Sequence, residues 1–357
     1  MPIHHVSKLK TTCVVILGLA TIASFFYQHA GGFWELLNIG RILLILVFLA
    51  LLFSTLKGLS KDQPTNSSWF ARYANTLTWL LPSLIIVLAL INAFAPEIGH
   101  ILVKGGDVVS FRPAIYVKMA FDIVSCIVFI VLAKRFLTRK QWLLFGAFAL
   151  LALVAFWMAM EEISWGQRIF KWETTGYFSE NNMQSETNLH NLNTQLFQNA
   201  LYFGGFLLLV ALPFFRDHIT RLLERISFLR PLAFLLPGAW VMIAFAASMG
   251  FIDPHMSEAG WRWGSILFQT MATGAMLIVY AYRARKQRDP RLKSVLWSLL
   301  AFGLTLILSL LYRGLWGKDT GSPTEYIELF IAFGIMCWAL ELKVRSNNKK
   351  FLASSHR

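Results

Sequence analysis

Apolar runs about as long as a membrane-spanning helix recur along most of the chain. A helix needs roughly 20 apolar residues to cross a hydrocarbon core about 30 Å thick. Runs of this kind cover residues 11–28, 39–56, 75–95, 114–133, 141–160, 196–215, 231–250, 263–282, 294–311 and 324–342. With 56% apolar and only 15% charged residues, the chain has too much apolar surface for an ordinary soluble enzyme. We therefore predict an all-α, polytopic transmembrane helical bundle with about ten spans.

The charged residues alternate between two sets of connecting segments. One set holds 24 of the 33 basic residues; it comprises both termini and the segments 57–72, 134–140, 216–230 and 283–293. Because Lys and Arg accumulate in cytoplasmic loops, this pattern predicts that both termini lie in the cytoplasm. The net charge of +14 then reports orientation, and we expect these basic runs to contact anionic lipid head groups rather than nucleic acid.

The sequence predicts one membrane domain without a separate soluble domain. The longest segment between predicted spans runs from about 161 to 195, and no linker or low-complexity tract divides the chain. We therefore expect a single integral membrane domain over 1–357, with an extracytoplasmic polar and interfacial segment at 161–195. The three cysteines, Cys13, Cys126 and Cys337, are far apart and match neither a disulfide framework nor a zinc-binding spacing.

Two adjacent carboxylates, Glu161 and Glu162, end the fifth predicted span. If the helix continued past them, Glu161, Ser164 and Arg168 would share one face, and Glu162 would lie about 100° away. One carboxylate would then pair with Arg168 and leave the other free. Trp165, which lies between Glu162 and Arg168 in the sequence, is suited to the head-group zone of a membrane. This arrangement predicts acidic side chains at the lipid surface.

The polar loop that follows is rich in amides, among them Asn188 and Asn191. Amides donate and accept hydrogen bonds without carrying charge, which suits them to hydroxyl-rich head groups. Glu186 and His190 are four residues apart, so on a helix over 184–194 the carboxylate would orient the imidazole or join it at a metal ion. The alternative is a solvated loop in which Asn and Ser cap the neighbouring helices.

Two motifs in this segment, EEISWGQR at 161–168 and ETNLHN at 186–191, carry a resemblance to a known group of sequences. They resemble motifs of a family of uncharacterised bacterial polytopic membrane proteins that has no established activity. The resemblance is confined to residues 161–191. It implies a multi-pass protein of the bacterial inner (cytoplasmic) membrane in which these motifs matter, and it gives no reaction.

Other external segments contribute further candidates. Asp253 and His255 are candidate ligands of a divalent cation, although no HExxH motif or cysteine set supports zinc. Arg262 is a candidate phosphate-binding residue. Glu325 and Glu328 share a helical face at the start of the last span, and Glu328, one turn deeper, should face protein or a wet cavity.

Lys118 and Asp122, in the fourth predicted span, are spaced i and i+4. Asp122 lies about 13 Å from the outer end of that span at 1.5 Å per residue. We expect an internal salt bridge between the two side chains, with a proton or ion relay as the alternative.

These residues support three functional hypotheses. The first is an enzyme, a hydrolase or transferase, that acts at the outer leaflet on a lipid head group or a lipid-linked saccharide. Its candidate catalytic residues are Glu161, Glu162, Glu186 and His190; its candidate substrate-binding residues are Trp165, Arg168, Asn188, Asn191, Arg262 and Glu328. The second is a transporter or flippase-like carrier with Asn92, Asp122 and Glu328 along its pathway. The third is a non-catalytic subunit of an envelope-assembly complex, whose polar loops would contact other membrane subunits.

Overall fold

Helices form almost all of the described part of the chain. A computed structural model describes residues 68–95, 98–99, 113–170, 172–174, 176–182, 185–252, 260–316 and 322–347. The main helices in these ranges are α1 (Ser68–Phe94), α2 (Pro113–Thr138), α3 (Trp142–Glu162), α4 (Thr194–Phe206), α5 (Leu212–Glu224), α6 (Ala239–Phe245), α7 (Gly260–Lys286), α8 (Leu292–Trp316) and α9 (Ser322–Ser346). No strand occurs among the described residues, which confirms the all-α prediction.

Six helical segments of the described residues are long and apolar enough to cross a membrane. They are Phe70–Phe94, Ala114–Thr138, Trp142–Glu162, Leu196–Glu224, Arg230–Gly250 and Leu292–Leu310. The predicted spans 263–282 and 324–342 lie within α7 and α9 but are not among the six; α9 carries charged residues at both of its ends. The predicted spans 11–28 and 39–56 lie outside the described residues, so the count of ten and the orientation remain predictions.

The helices α2 and α3 form a tight antiparallel hairpin. Lys140 adopts a left-handed conformation with φ of 58°, and its N–H donates to the carbonyl of Leu137 at 2.9 Å. This geometry is a common way to end a helix and reverse the chain. Across the hairpin, the ring of Phe136 stacks on Phe148 with centroids 5.3 Å apart. The start of α2 and the end of α3 therefore lie at the same end of the bundle.

Helix α9 packs against this hairpin and runs parallel to α2. Near its start, Glu328 contacts Lys118 of α2, and near its end Ser346 accepts a hydrogen bond from Arg135 at the end of α2. The ring of Trp338 also packs edge-on against Phe129, with centroids 5.6 Å apart. As a result, the acidic end of α3 and the acidic start of α9 meet the start of α2, which carries Lys118, at one end of the bundle.

The predicted span 231–250 is not one regular helix. A 3-10 helix over Arg230–Leu235 ends at Leu236, which is extended, and α6 begins only after Gly238. Pro237 and Gly238 explain the break, because proline lacks a backbone donor and glycine is a poor helix former. The stretch 241–247 is completely buried, so this segment forms the centre of the bundle.

Helices α4 and α5 are joined by a π-helical turn over Leu207–Ala211. Pro213 follows in the first turn of α5, where its missing N–H removes a hydrogen bond from the helical ladder. The resulting helical stretch continues to Glu224, beyond the predicted end at 215. Its first half, α4, faces the site described next.

Candidate functional site

The chain turns sharply after Glu162 and does not continue as a helix. Ser164, Trp165 and Gly166 have φ values of 49°, 56° and 100°, so three successive residues are left-handed. Such residues outside glycine are uncommon and cost about 1 kcal/mol or more each, and they persist where surrounding contacts hold them. Here the indole N–H of Trp165 donates to Oε1 of Glu161 at 2.7 Å. The expectation of one helical face shared by Glu161, Ser164 and Arg168 is therefore wrong.

Glu161 orients His190. Its Oε2 accepts the backbone N–H groups of Leu189 at 2.8 Å and His190 at 3.0 Å, and it lies 3.2 Å from Nδ1 of the His190 ring. A carboxylate at Nδ1 favours the tautomer that carries its proton there and leaves the lone pair on Nε2. Since both oxygens of buried Glu161 are engaged, this carboxylate positions the imidazole.

Glu186 does not orient His190, contrary to the sequence-based expectation. Its Oε2 accepts hydrogen bonds from Nη2 of Arg168 at 2.6 Å, Oγ of Ser164 at 2.9 Å and Nδ2 of Asn188 at 2.9 Å. The reason is that the stretch from 185 to 193 forms turns rather than a helix, and α4 begins only at Thr194. Glu186 therefore ties the two ends of the polar loop, residues 163–193, to each other.

Asn188 is an internal support of the polar loop. It is completely buried, and its Nδ2 also donates to Oγ of Ser164 at 3.0 Å. Its Oδ1 accepts a hydrogen bond from Nδ2 of Asn182 at 3.0 Å. The sequence predicts Asn188 as a substrate-binding residue. In the structure its hydrogen bonds lie within the polar loop, and it does not line the cavity.

Lys118 lies at the centre of a second group of ionisable side chains. Its Nζ is 3.1 Å from Oε2 of Glu162, 3.0 Å from Oε2 of Glu325 and 2.7 Å from Oε2 of Glu328. We call these four residues the carboxylate cluster. Only 4% of the lysine side chain is exposed, and the hydroxyl of Tyr202 donates to Oε1 of Glu328 at 3.5 Å.

The predicted salt bridge between Lys118 and Asp122 is wrong. The lysine reaches carboxylates from α3 and α9 instead, while Oδ1 of Asp122 is buried without a hydrogen-bond partner. Sequence reasoning also missed Lys118 and Tyr202 as site residues. The sequence does contain a signal for Lys118. Glutamates lie at the end of the fifth predicted span and at the start of the last one, on the same predicted side of the membrane as Lys118, and buried acids of this kind require a nearby cation.

A cavity of about 420 Å³ joins the two groups of residues. At its polar end it is lined by Lys118, Glu161, Glu162, Arg168, His190, Asn191, Glu325 and Glu328. Further along it is lined by apolar side chains of α3, α4, the π-helical turn after α4, and α9, including Val154, Leu201, Leu208 and Ile335. The cavity is therefore amphiphilic, with ionised groups at one end and hydrocarbon at the other.

The apolar part of the cavity is a groove between α3 and α4. Val154 of α3 and Gly204 of α4 line it and are exposed, whereas Gly205 and Ile331 line it and are buried. Along α9 the lining extends from Glu325 to Ile335, which is about 15 Å at 1.5 Å per residue. That length is about half of a hydrocarbon core of roughly 30 Å, so the groove matches the depth of one leaflet.

The remaining candidates are not brought to this site by the described residues. Asp253 and His255 lie outside the described part of the chain. The backbone of Arg262 belongs to α7, but the structure does not describe its side chain. No group of three or more His, Cys, Asp or Glu side chains able to hold a metal ion occurs within the described ranges. A divalent cation at Asp253 and His255 remains a prediction. Asn92 and Asp122 do not line the cavity.

Comparison with known proteins adds no assignment. No protein-family model, curated protein or solved structure matches this chain. The class of site is therefore defined by its own chemistry: an imidazole held by a carboxylate, beside an ion cluster, at the polar end of an apolar groove.

Proposed function

We propose that this protein is a membrane-embedded enzyme, a hydrolase or transferase, that acts on the head group of a lipid or lipid-linked molecule. The observation that carries the proposal is the position of His190 at the polar end of a groove one leaflet deep. A lipid would place its chain along Val154 and Ile335 and its head group beside the imidazole.

His190 has the arrangement of a general base and acid. With its Nδ1–H directed at Glu161, Nε2 accepts the proton of a water molecule or hydroxyl group. The activated oxygen attacks the central atom of the head-group linkage and forms a bond to it. The bond between that atom and the leaving oxygen breaks. The imidazolium then returns the proton to that leaving oxygen. Glu161 stabilises the imidazolium between the two steps, as a positioning residue.

Charge supports an outer-leaflet location for this site. The end of α2 and the α2–α3 connection carry Lys134, Arg135, Arg139 and Lys140, and they lie at the opposite end of the hairpin from Glu162. Basic connections of this type mark the cytoplasmic side. The groove and His190 would then face the outside of a bacterial inner membrane.

The test is the loss of lipid turnover when His190 is replaced. We expect His190→Ala to lower the rate about 10²–10⁴-fold, the usual contribution of a general acid–base residue. Glu161→Gln should lower it less, because the imidazole remains while its orientation is weakened. The substrate is first identified by comparing the lipids of deletion and wild-type cells; turnover is then measured in vesicles made from the deletion strain's lipids.

A matched control is His218→Ala. His218 is an exposed histidine of α5 in the basic segment 216–230, away from the cavity, so its replacement should leave turnover unchanged. All variants must insert in the membrane at the wild-type level. Wild-type lipid profiles in cells that carry well-inserted His190→Ala would contradict the proposal.

A further inference from the structure

The carboxylate cluster holds more carboxyl groups than amines among the residues that the structure describes. Glu162 and Glu328 both line it and both contact the single ammonium of Lys118. Even these two carboxylates outnumber that ammonium, and Glu325 adds a third contact to it. Partly buried charge is costly unless it is paired. A ligand that brings a second ammonium group would balance Glu162 and Glu328.

The polar end of the cavity also has hydrogen-bond donors. Asn191 is 1% exposed and lines the cavity, and its Nδ2 has no hydrogen-bond partner among the residues that the structure describes. Nε of Arg168, another lining residue, is also buried without a partner, although its Nη2 is held by Glu186. A buried donor without an acceptor costs about 1–3 kcal/mol. Both donors therefore favour a ligand with anionic oxygens, and a phosphate group suits an arginine and an amide.

We infer that the cavity binds a zwitterionic phospholipid with a primary amine, that is, a phosphoethanolamine head group. This inference rests on the proposed function and specifies its substrate class. The amine lies against Glu162 and Glu328, the phosphate accepts hydrogen bonds from Arg168 and Asn191, and an acyl chain occupies the groove. The volume of about 420 Å³ falls within the usual range for a small-molecule site.

A primary amine fits this site better than a quaternary one. An ammonium group has three N–H donors for the oxygens of Glu162 and Glu328. A trimethylammonium group has no donor and is usually bound in a cage of aromatic rings. The side chains around Lys118 in the cluster are carboxylates, so they select hydrogen-bonding cations.

The experiment measures lipid binding to the purified full chain in detergent. The probes are dioctanoyl phosphatidylethanolamine, phosphatidylcholine and phosphatidylglycerol, together with free phosphoethanolamine, titrated by calorimetry. We expect phosphatidylethanolamine to bind at least tenfold more tightly than the other two lipids. Free phosphoethanolamine should bind at least tenfold more weakly than the lipid, because it leaves the groove empty.

Variants separate the two halves of the head-group site. Glu162→Gln should weaken phosphatidylethanolamine binding about tenfold and abolish its advantage over phosphatidylglycerol. Asn191→Ala should weaken both lipids alike, since both carry the phosphate. Glu328→Gln repeats the first test if Glu162→Gln does not fold. The matched control is Glu180→Gln, an exposed glutamate of the polar loop, which should change neither affinity.

Two results would overturn the inference. The first is a wild-type protein that binds phosphatidylglycerol as tightly as phosphatidylethanolamine; the second is free phosphoethanolamine binding as tightly as the lipid. Failure of the proposed function looks different. If the protein binds phosphatidylethanolamine selectively but turns over no lipid, the proposed enzyme function is contradicted and the proposed ligand is supported. If the protein turns over a lipid but does not select phosphatidylethanolamine, the enzyme function is supported and the proposed ligand is contradicted.

Discussion

The two ends of α9 carry buried ions in contrasting arrangements. At its start, Glu325 and Glu328 share Lys118 with Glu162 beside a cavity. At its end, Glu341 pairs with Arg345 one turn away in the same helix. The first group has three carboxylates for one ammonium among its members, and the second has one carboxylate for one guanidinium.

The pair at the end of α9 completes the hydrogen bonding of a broken helix. Oε2 of Glu341 accepts the N–H of Gly238 at 3.2 Å, and Arg345 donates to the carbonyls of Phe234 at 3.2 Å and Leu236 at 2.7 Å. These backbone groups are left without helical partners by the break at Pro237. Buried backbone groups require such partners, so this pair has a structural role.

The difference teaches how to separate structural from functional charge in this protein. Where each charge has one counter-charge and the remaining bonds go to the backbone, the group supports the fold. Where carboxylates outnumber the cation among the described residues and line a cavity, we propose that the group binds a ligand. The following predictions test this distinction, from the largest expected effect to the smallest.

Replacing Lys118 should have the largest effect on stability. Lys118→Met leaves three carboxylates close together without their ammonium, and loss of one partner from a buried ion pair costs about 3–5 kcal/mol. We expect the free energy of unfolding, measured in mixed micelles, to fall by at least that amount. Lys134→Met, at an exposed lysine of the same helix, should change it by less than about 0.5 kcal/mol. A loss for Lys118→Met as small as that of the control would contradict the role of Lys118.

The next prediction compares the same substitution at the two ends. Glu341→Gln removes the only carboxylate paired with Arg345 in the described contacts and should cost about 3 kcal/mol. Glu162→Gln leaves Lys118 with Glu325 and Glu328, so it should cost less than about 1 kcal/mol. Both values come from the same unfolding measurement, and equal losses would remove the distinction between the two ends.

The smallest expected change in stability is at the groove. A Cβ atom added at Gly204 meets no atom within 4 Å, so Gly204→Leu introduces its larger side chain into open space at the groove. Because glycine is about 1 kcal/mol worse than other residues in a helix, unfolding free energy should stay level or rise, while lipid turnover falls about tenfold as the chain site is lost.

Gly303→Leu is the control for this change. Gly303, in α8, is likewise free of neighbours within 4 Å of an added side chain, and it does not line the cavity. It should gain the same helix stability and keep full turnover. Equal turnover in both variants would show that the groove does not hold a chain.

The sequence was sufficient to predict the helices and the end of the bundle where the acids gather. The apolar runs predict α2 and α3 because both helices are apolar along most of their length. The break before α6 was missed, although Pro237 and Gly238 are visible in the sequence, because apolar character alone does not report backbone hydrogen bonding. Partners within the site were harder to predict.

The errors in the site share one physical cause. Pairing Lys118 with Asp122, and Glu186 with His190, used the i, i+4 spacing of a single helix. In the structure, Lys118 meets residues from other helices, and the loop that carries Glu186 is not helical. Contacts between distant segments are set by packing, and no spacing rule within one segment contains that information.

The two adjacent glutamates before the left-handed turn contact different parts of the molecule. Glu161 belongs to the loop through His190, and Glu162 belongs to the helices through Lys118. A single peptide unit connects them. The group that orients the imidazole and a group that lines the ion-bearing end of the cavity are therefore neighbours in the chain but belong to different contact networks.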